Sequence, residues 1–261
     1  MPYIIFFLVC FGSSAVGAIC GIGGGVIIKT VLDTFGIVDV SAISFLSSCT
    51  VLSMSAYSVL NNKITGQTKV TGRTELPLAI GAAAGGVIGK AIFTCIKSGR
   101  DSDYVSVVQG ICLLAVLTGT LIYTLCKSRI RTLQIQNAGA CAVIGLCLGV
   151  LSSFLGIGGG PINLVVLFYF FSMSTKTAAV NSLHIIFLSQ SAGILSTILT
   201  GNVPQFKAGI LILMVIGGIV GGILGRAVNK KIEAGIIDKL FIGLMVVIIG
   251  IDIFNIYIHM V

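Results

Sequence analysis

Long apolar runs alternate along this chain with short polar intervals, and the runs show no period-two alternation. Nearly charge-free segments cover roughly 2–36, 40–60, 76–96, 104–126, 138–172, 178–200, 208–225 and 236–258. Most approach the ~20 residues a helix needs to cross ~30 Å of hydrocarbon. They are too long for barrel strands, and an unpaired strand cannot satisfy its backbone in lipid. The pattern predicts an all-α integral membrane protein. Residues 138–172 hold no charge over 35 residues. That is ~50 Å of helix at 1.5 Å per residue, too long for one upright span and short for two. A break within the run resolves the mismatch, and Gly156–Gly160 reads GIGGG at that place. The same pentapeptide interrupts the first run at Gly21–Gly25.

The two copies lie 135 residues apart in a chain of 261. At the same offset Ser47 matches Ser182, Thr65-Gly66 matches Thr200-Gly201, and Asp103 matches Asp238. With one residue inserted, Gly85-Gly86 matches Gly221-Gly222, Gly89 matches Gly225, and Lys90 falls on Arg226. The chain therefore reads as two homologous halves, 1–126 and 138–261, joined by a basic linker at 127–137. Each half consists of one glycine-broken helix followed by three transmembrane helices. The glycine pairs at 85–86 and 221–222 fit close helix packing, the usual work of small residues in membranes.

Loop charges bear on the topology. If each broken helix enters the membrane and returns, loops 61–75, 127–137, 172–177 and 227–233 share one side. That side then carries Lys63, Lys69, Arg73, Lys127, Arg129, Arg131, Lys176, Lys230 and Lys231, and the other keeps only Lys97, Arg100 and Lys207. If each broken helix crosses once, the loop cations divide almost evenly. The lopsided division obeys the positive-inside rule. It favours inverted repeats in the cell membrane with both termini outside, and two glycine hairpins meeting near mid-bilayer. Interrupted segments at matching positions of two repeats point to a transporter's binding site.

Composition agrees: 56% of residues are hydrophobic, 9% are charged, and mean hydropathy is +1.12. Soluble domains average about 25% charged residues. The net charge of +8 is scattered through short loops, as membrane loops require, so no nucleic-acid partner is expected. Met1–Cys20 lacks a basic leader region and reads as mature sequence. The eight cysteines lie mostly in apolar runs, with no CxxC pair and no Cys/His spacing, so no cofactor or metal is expected.

Glycines just upstream of a helix let an anion approach its unpaired N–H groups and the positive end of its dipole. Gly23, Gly24, Gly25, Gly158, Gly159 and Gly160 are therefore candidate substrate-binding positions, and Pro161 suits the first turn of the following helix. Lys29 could pair with substrate charge, with Asp33 one turn on, or reach for the surface. Asn163 is an uncharged donor at similar depth. The next helix of each half adds Ser47 and Ser48, then Asn181, Ser182, His184 and Gln190. Lys90 and Arg226 sit near helix ends, within reach of headgroups. Carboxylates are scarce in the membrane segments, which favours an anion path over a cation path.

With GxxCGIGGG at 17–25, SSFLGIGGGP at 152–161 and AVNSL at 179–183, the chain resembles the sulfite exporter TauE/SafE family of small membrane transporters. The resemblance covers both halves. It implies movement of small sulfur-containing anions such as sulfite, thiosulfate or sulfonates, without ATP. The expected protein is a secondary transporter, not an enzyme, with a small anion and membrane lipid as partners and homo-oligomerisation compatible. An anion channel is the alternative, and a sulfur relay through Cys20 and Cys49 a more distant one.

Overall fold

The computed structural model describes residues 2–36, 38–64, 72–97 and 102–260. Thr65-Gly66, Lys69 and Arg100 lie outside the described residues. The described elements are helices: α1 (Pro2–Cys20), α2 (Gly25–Phe35), α3 (Val40–Ile64), α4 (Gly72–Lys97) and α5 (Ser102–Cys126), then a 3₁₀ turn at Lys127–Arg129. There follow α6 (Ala138–Leu155), α7 (Gly160–Phe171), α8 (Thr175–Leu199), α9 (Ala208–Lys231) and α10 (Ala234–Met260). Eight of these, all but α2 and α7, are long and apolar enough to cross a membrane.

Local chemistry sets the helix ends. The Asn137 side chain accepts from the Gly139 and Ala140 amides at 2.8 and 3.4 Å and caps α6. Gly24 and Gly159, each just before a short helix, have φ of 71° and 90°. Left-handed values of this kind are open to glycine and costly for other residues. At the first loop the chain folds back on itself: a Cβ on Gly24 would lie 2.6 Å from the Ser13 carbonyl oxygen, and one on Gly17 only 2.2 Å from the Gly24 nitrogen. The start of α2 thus lies against the flank of α1. The Ile22 amide donates to the Gly17 carbonyl at 2.9 Å, and 135 residues later Ile157 donates to Ser152 at 3.3 Å.

The helices interlock across the chain. Gly217, Gly221 and Gly225 of α9 press on the backbone of Phe7, Phe11 and Ala15 of α1, in the same order along both helices. Gly81, Gly85 and Gly89 of α4 do the same against Ala142, Leu146 and Val150 of α6. Within each of these two pairs the helices therefore run in the same direction. α3 runs with α9, since Thr50 meets Gly218 and Met54 meets Gly222. α8 runs with α4, since Ser189 meets Gly86 and Gly193 meets Lys90. α3 and α8 run oppositely: Ser41 and Phe45, early in α3, share a cavity with Thr197, late in α8. So α1, α3 and α9 point one way while α4, α6 and α8 point the other.

The linker is anchored as well. Leu133 and Ile135 donate to the carbonyls of Tyr169 and Phe170 at 2.7 and 3.0 Å. The Lys127 ammonium donates to Thr175 at 3.2 Å and pairs with Asp238 at 3.5 Å.

Candidate functional site

The two GIGGG loops meet. A Cβ on Gly25 would stand 2.3 Å from the Ile157 carbonyl oxygen, and one on Gly160 would stand 2.6 Å from Val26 and 3.8 Å from the Ile22 carbonyl oxygen. Gly23 and Gly158 share the same two neighbours, Val51 of α3 and Ile186 of α8. Gly21 rests on Ala179, and Gly156 on Ser44. In each case the partner of the second loop lies 135 residues from the partner of the first, so the contacts carry the repeat seen in the sequence. Because α2 and α7 start at these loops, their positive dipole ends and first amides are brought to one place.

Side chains gather around the loops. The Ser47 hydroxyl donates to the Gly25 carbonyl at 3.3 Å. Asn163 is 1% exposed and turned onto Gly159, whose Cβ would lie 2.5 Å from its Nδ2. Neither polar atom of Asn163 has a hydrogen-bond partner among the described residues. The same holds for the hydroxyls of Ser14, Ser44, Ser153 and Ser182 and for Gln190 Oε1. Gln190 Nε2 donates to Ser152 Oγ at 3.1 Å, just ahead of the second loop.

Lys29 makes two hydrogen bonds that its spacing did not suggest. Its ammonium is buried, so it does not reach the surface. It donates to Gln109 Oε1 at 2.5 Å and to the Leu155 carbonyl at 2.8 Å. Gln109 Nε2 in turn donates to the Phe154 carbonyl at 2.6 Å. The cation of the first hairpin therefore holds the last carbonyls of α6, the negative end of that helix, immediately before the second hairpin turns. Asp33 and Asp252 lie within its electrostatic reach.

Other candidates are bonded or packed locally. Ser48 bonds the Ser44 carbonyl of its own helix at 2.7 Å, and Asn181 Nδ2 approaches Met173 Sδ at 3.2 Å. The half-buried His184 makes its Nδ1 contact with the Val180 carbonyl of its own helix at 3.0 Å. Cys20 packs in the apolar cluster with Ile22, Val26 and Leu155. Lys90 and Arg226 are 7% and 9% exposed, so neither reaches for headgroups as their positions near helix ends suggested. Ser14, Ser44 and Gln109 escaped sequence reading because isolated serines and glutamines carry no spacing signal. Ser152 and Ser153, lying inside the SSFLGIGGGP motif, could have been found there.

The sulfite exporter TauE/SafE family pattern matches residues 5–251. The chain belongs to this family. It is thus a multi-pass membrane transport protein, built around the paired glycine loops. This TauE/SafE chain is 26% identical over 270 residues to the probable membrane transporter protein YunE of Bacillus subtilis, with 96% of each chain covered. A segment covering 41% of it is 28% identical to 18% of the probable membrane transporter protein MamO of Magnetospirillum gryphiswaldense. No solved structure matches this TauE/SafE chain.

Proposed function

We propose that this TauE/SafE protein is a secondary transporter of a small sulfur-containing anion of the sulfite, thiosulfate or sulfonate type. Its two halves are inverted in the cell membrane with both termini outside, and access to the glycine loops alternates between the two sides. The observation that carries the reading is the set of buried polar atoms around the loops with no partner among the described residues, above all the Asn163 amide with its Nδ2 donor. Leaving such a group unsatisfied costs about 1–3 kcal/mol. Serine hydroxyls, an amide N–H and the opening turns of α2 and α7 are the donors that replace the hydration of an oxyanion.

The helix directions support the inversion, because α1 runs with α9 while its counterpart α6 runs with α4, against it. The loop-cation count supports the orientation. Alternation is supported by a difference between matching cations. Lys90 faces a cavity, whereas Arg226 Nη1 donates to the Ser58 carbonyl at 2.5 Å.

The test is thermal unfolding of the purified protein with sulfite, sulfate, thiosulfate, sulfoacetate and taurine in turn. A ligand of the folded state raises apparent stability by an amount that grows with its concentration. A selective rise that disappears in Gly159→Leu and Asn163→Leu supports the reading. Equal melting with every anion at tens of millimolar sinks the substrate class.

A further inference from the structure

A cavity of about 340 Å³ beside Lys90 lies outside the site described so far. Lys90 and Thr94 of α4, Ser41 and Phe45 of α3, Thr197 of α8 and Asn202 of the following loop line it. Lys90 is 7% exposed, and its ammonium stands 5.7 Å from the centre of the Phe93 ring. No carboxylate pairs with it among the described residues; Asp39, two residues before the lining Ser41, accepts the Ser41 hydroxyl. A cation within a membrane helix is expensive unless it faces water or a counter-charge. Here it faces a cavity whose low-dielectric walls concentrate its field.

The cavity also points toward the glycine loops. Ser41, Ser44, Phe45 and Ser48 fall on one face of α3 by helical spacing, and Ser44 rests on Gly156. On α8 the face that begins at Thr197 continues through Gly193 and Gln190 to Ile186, which touches Gly23. The Ser153 hydroxyl sits against Gly86 and Gly193 on this route, and Gly193 adjoins the Lys90 stem.

We propose that this cavity is the anion-selective vestibule on one side of the membrane, with Lys90 the first residue to hold the oxyanion group of the substrate. The proposal rests on the transport reading above. It gives that reading an entry site, on the side to which the loop-cation count assigns Lys207 in the proposed orientation. The matching residue of the other half, Arg226, is tied to Ser58, so on that side the cation is engaged by protein.

The experiment uses Thr94→Cys in a full-length chain whose native cysteines have been replaced, in lipid-free maltoside detergent so that no headgroup competes. Its labelling is compared with anionic and cationic methanethiosulfonates, each normalised to a free thiol. The anionic reagent should react at least about threefold faster in relative terms. That preference should vanish in Lys90→Gln, survive in Lys90→Arg, and be protected by sulfoacetate. No preference in the parent, or one unchanged in Lys90→Gln, overturns the proposal. Charge-selective labelling in a Gly159→Leu protein that no longer binds sulfoacetate supports the vestibule. The same labelling in a parent that binds no sulfur anion leaves the vestibule standing and removes the substrate class alone.

Discussion

Gly25 lies so close to Ile157 that a single added methyl group would sit 2.3 Å from the Ile157 carbonyl oxygen. Neither residue's sequence neighbours reveal this contact, which holds the first glycine loop against the second. Because the intruded atom belongs to backbone, it cannot rotate aside, and one loop must move.

Gly25→Ala should therefore destabilise the protein by about 1–3 kcal/mol, the usual range for overpacking, and abolish transport. Gly12→Ala, with nothing within 4 Å of the new methyl, is the control and should be neutral or stabilising by up to ~1 kcal/mol. Thermal unfolding and uptake into proteoliposomes measure both. Normal uptake by Gly25→Ala would mean that the loops separate freely and that their contact has no functional weight.

Asn163→Leu should separate stability from function. Replacing a buried amide that has no partner among the described residues with an apolar side chain of similar size removes a desolvation cost, so melting should rise by the equivalent of about 1 kcal/mol. The stabilisation given by a sulfur anion should fall at least tenfold in ligand sensitivity. If anion binding is retained, Asn163 is not a ligand.

Lys29→Met should be among the most damaging changes outside the loops. It leaves Gln109 Oε1 and the Leu155 carbonyl unbonded and deprives Asp33 and Asp252 of the neighbouring cation. Removing one partner of a buried charged group costs about 3–5 kcal/mol. Adding Asp252→Asn should recover at least ~1 kcal/mol of that loss, because the two changes touch one cluster. Additive melting shifts would show that the cluster is not coupled.

Arg226→Gln should loosen the side opposite the Lys90 cavity. A cysteine at Asn62, a buried residue one turn beyond Ser58 on α3, should then be labelled several-fold faster by a thiol reagent. An unchanged rate would mean that the Arg226–Ser58 bond does not hold that side closed.

By itself, the sequence determined the helical membrane class, the breaks at Gly21–Gly25 and Gly156–Gly160, and the family. These follow from local properties: run length against bilayer thickness, glycine's freedom in a turn, and a motif repeated at a fixed offset. Tertiary structure decided what those elements meet. Helical spacing could place Lys29 one turn from Asp33, but could not bring it to the end of α6, 126 residues away. Nor could it set Asp252 near that same ammonium, so the scarcity of membrane carboxylates hid a buried charged cluster. Lys90 and Arg226 occupy matching positions near their helix ends, yet one lines a cavity and the other binds Ser58. The reason is physical. A buried charge or amide takes its role from the partners that packing delivers, and packing in this chain interleaves helices from both ends of the sequence.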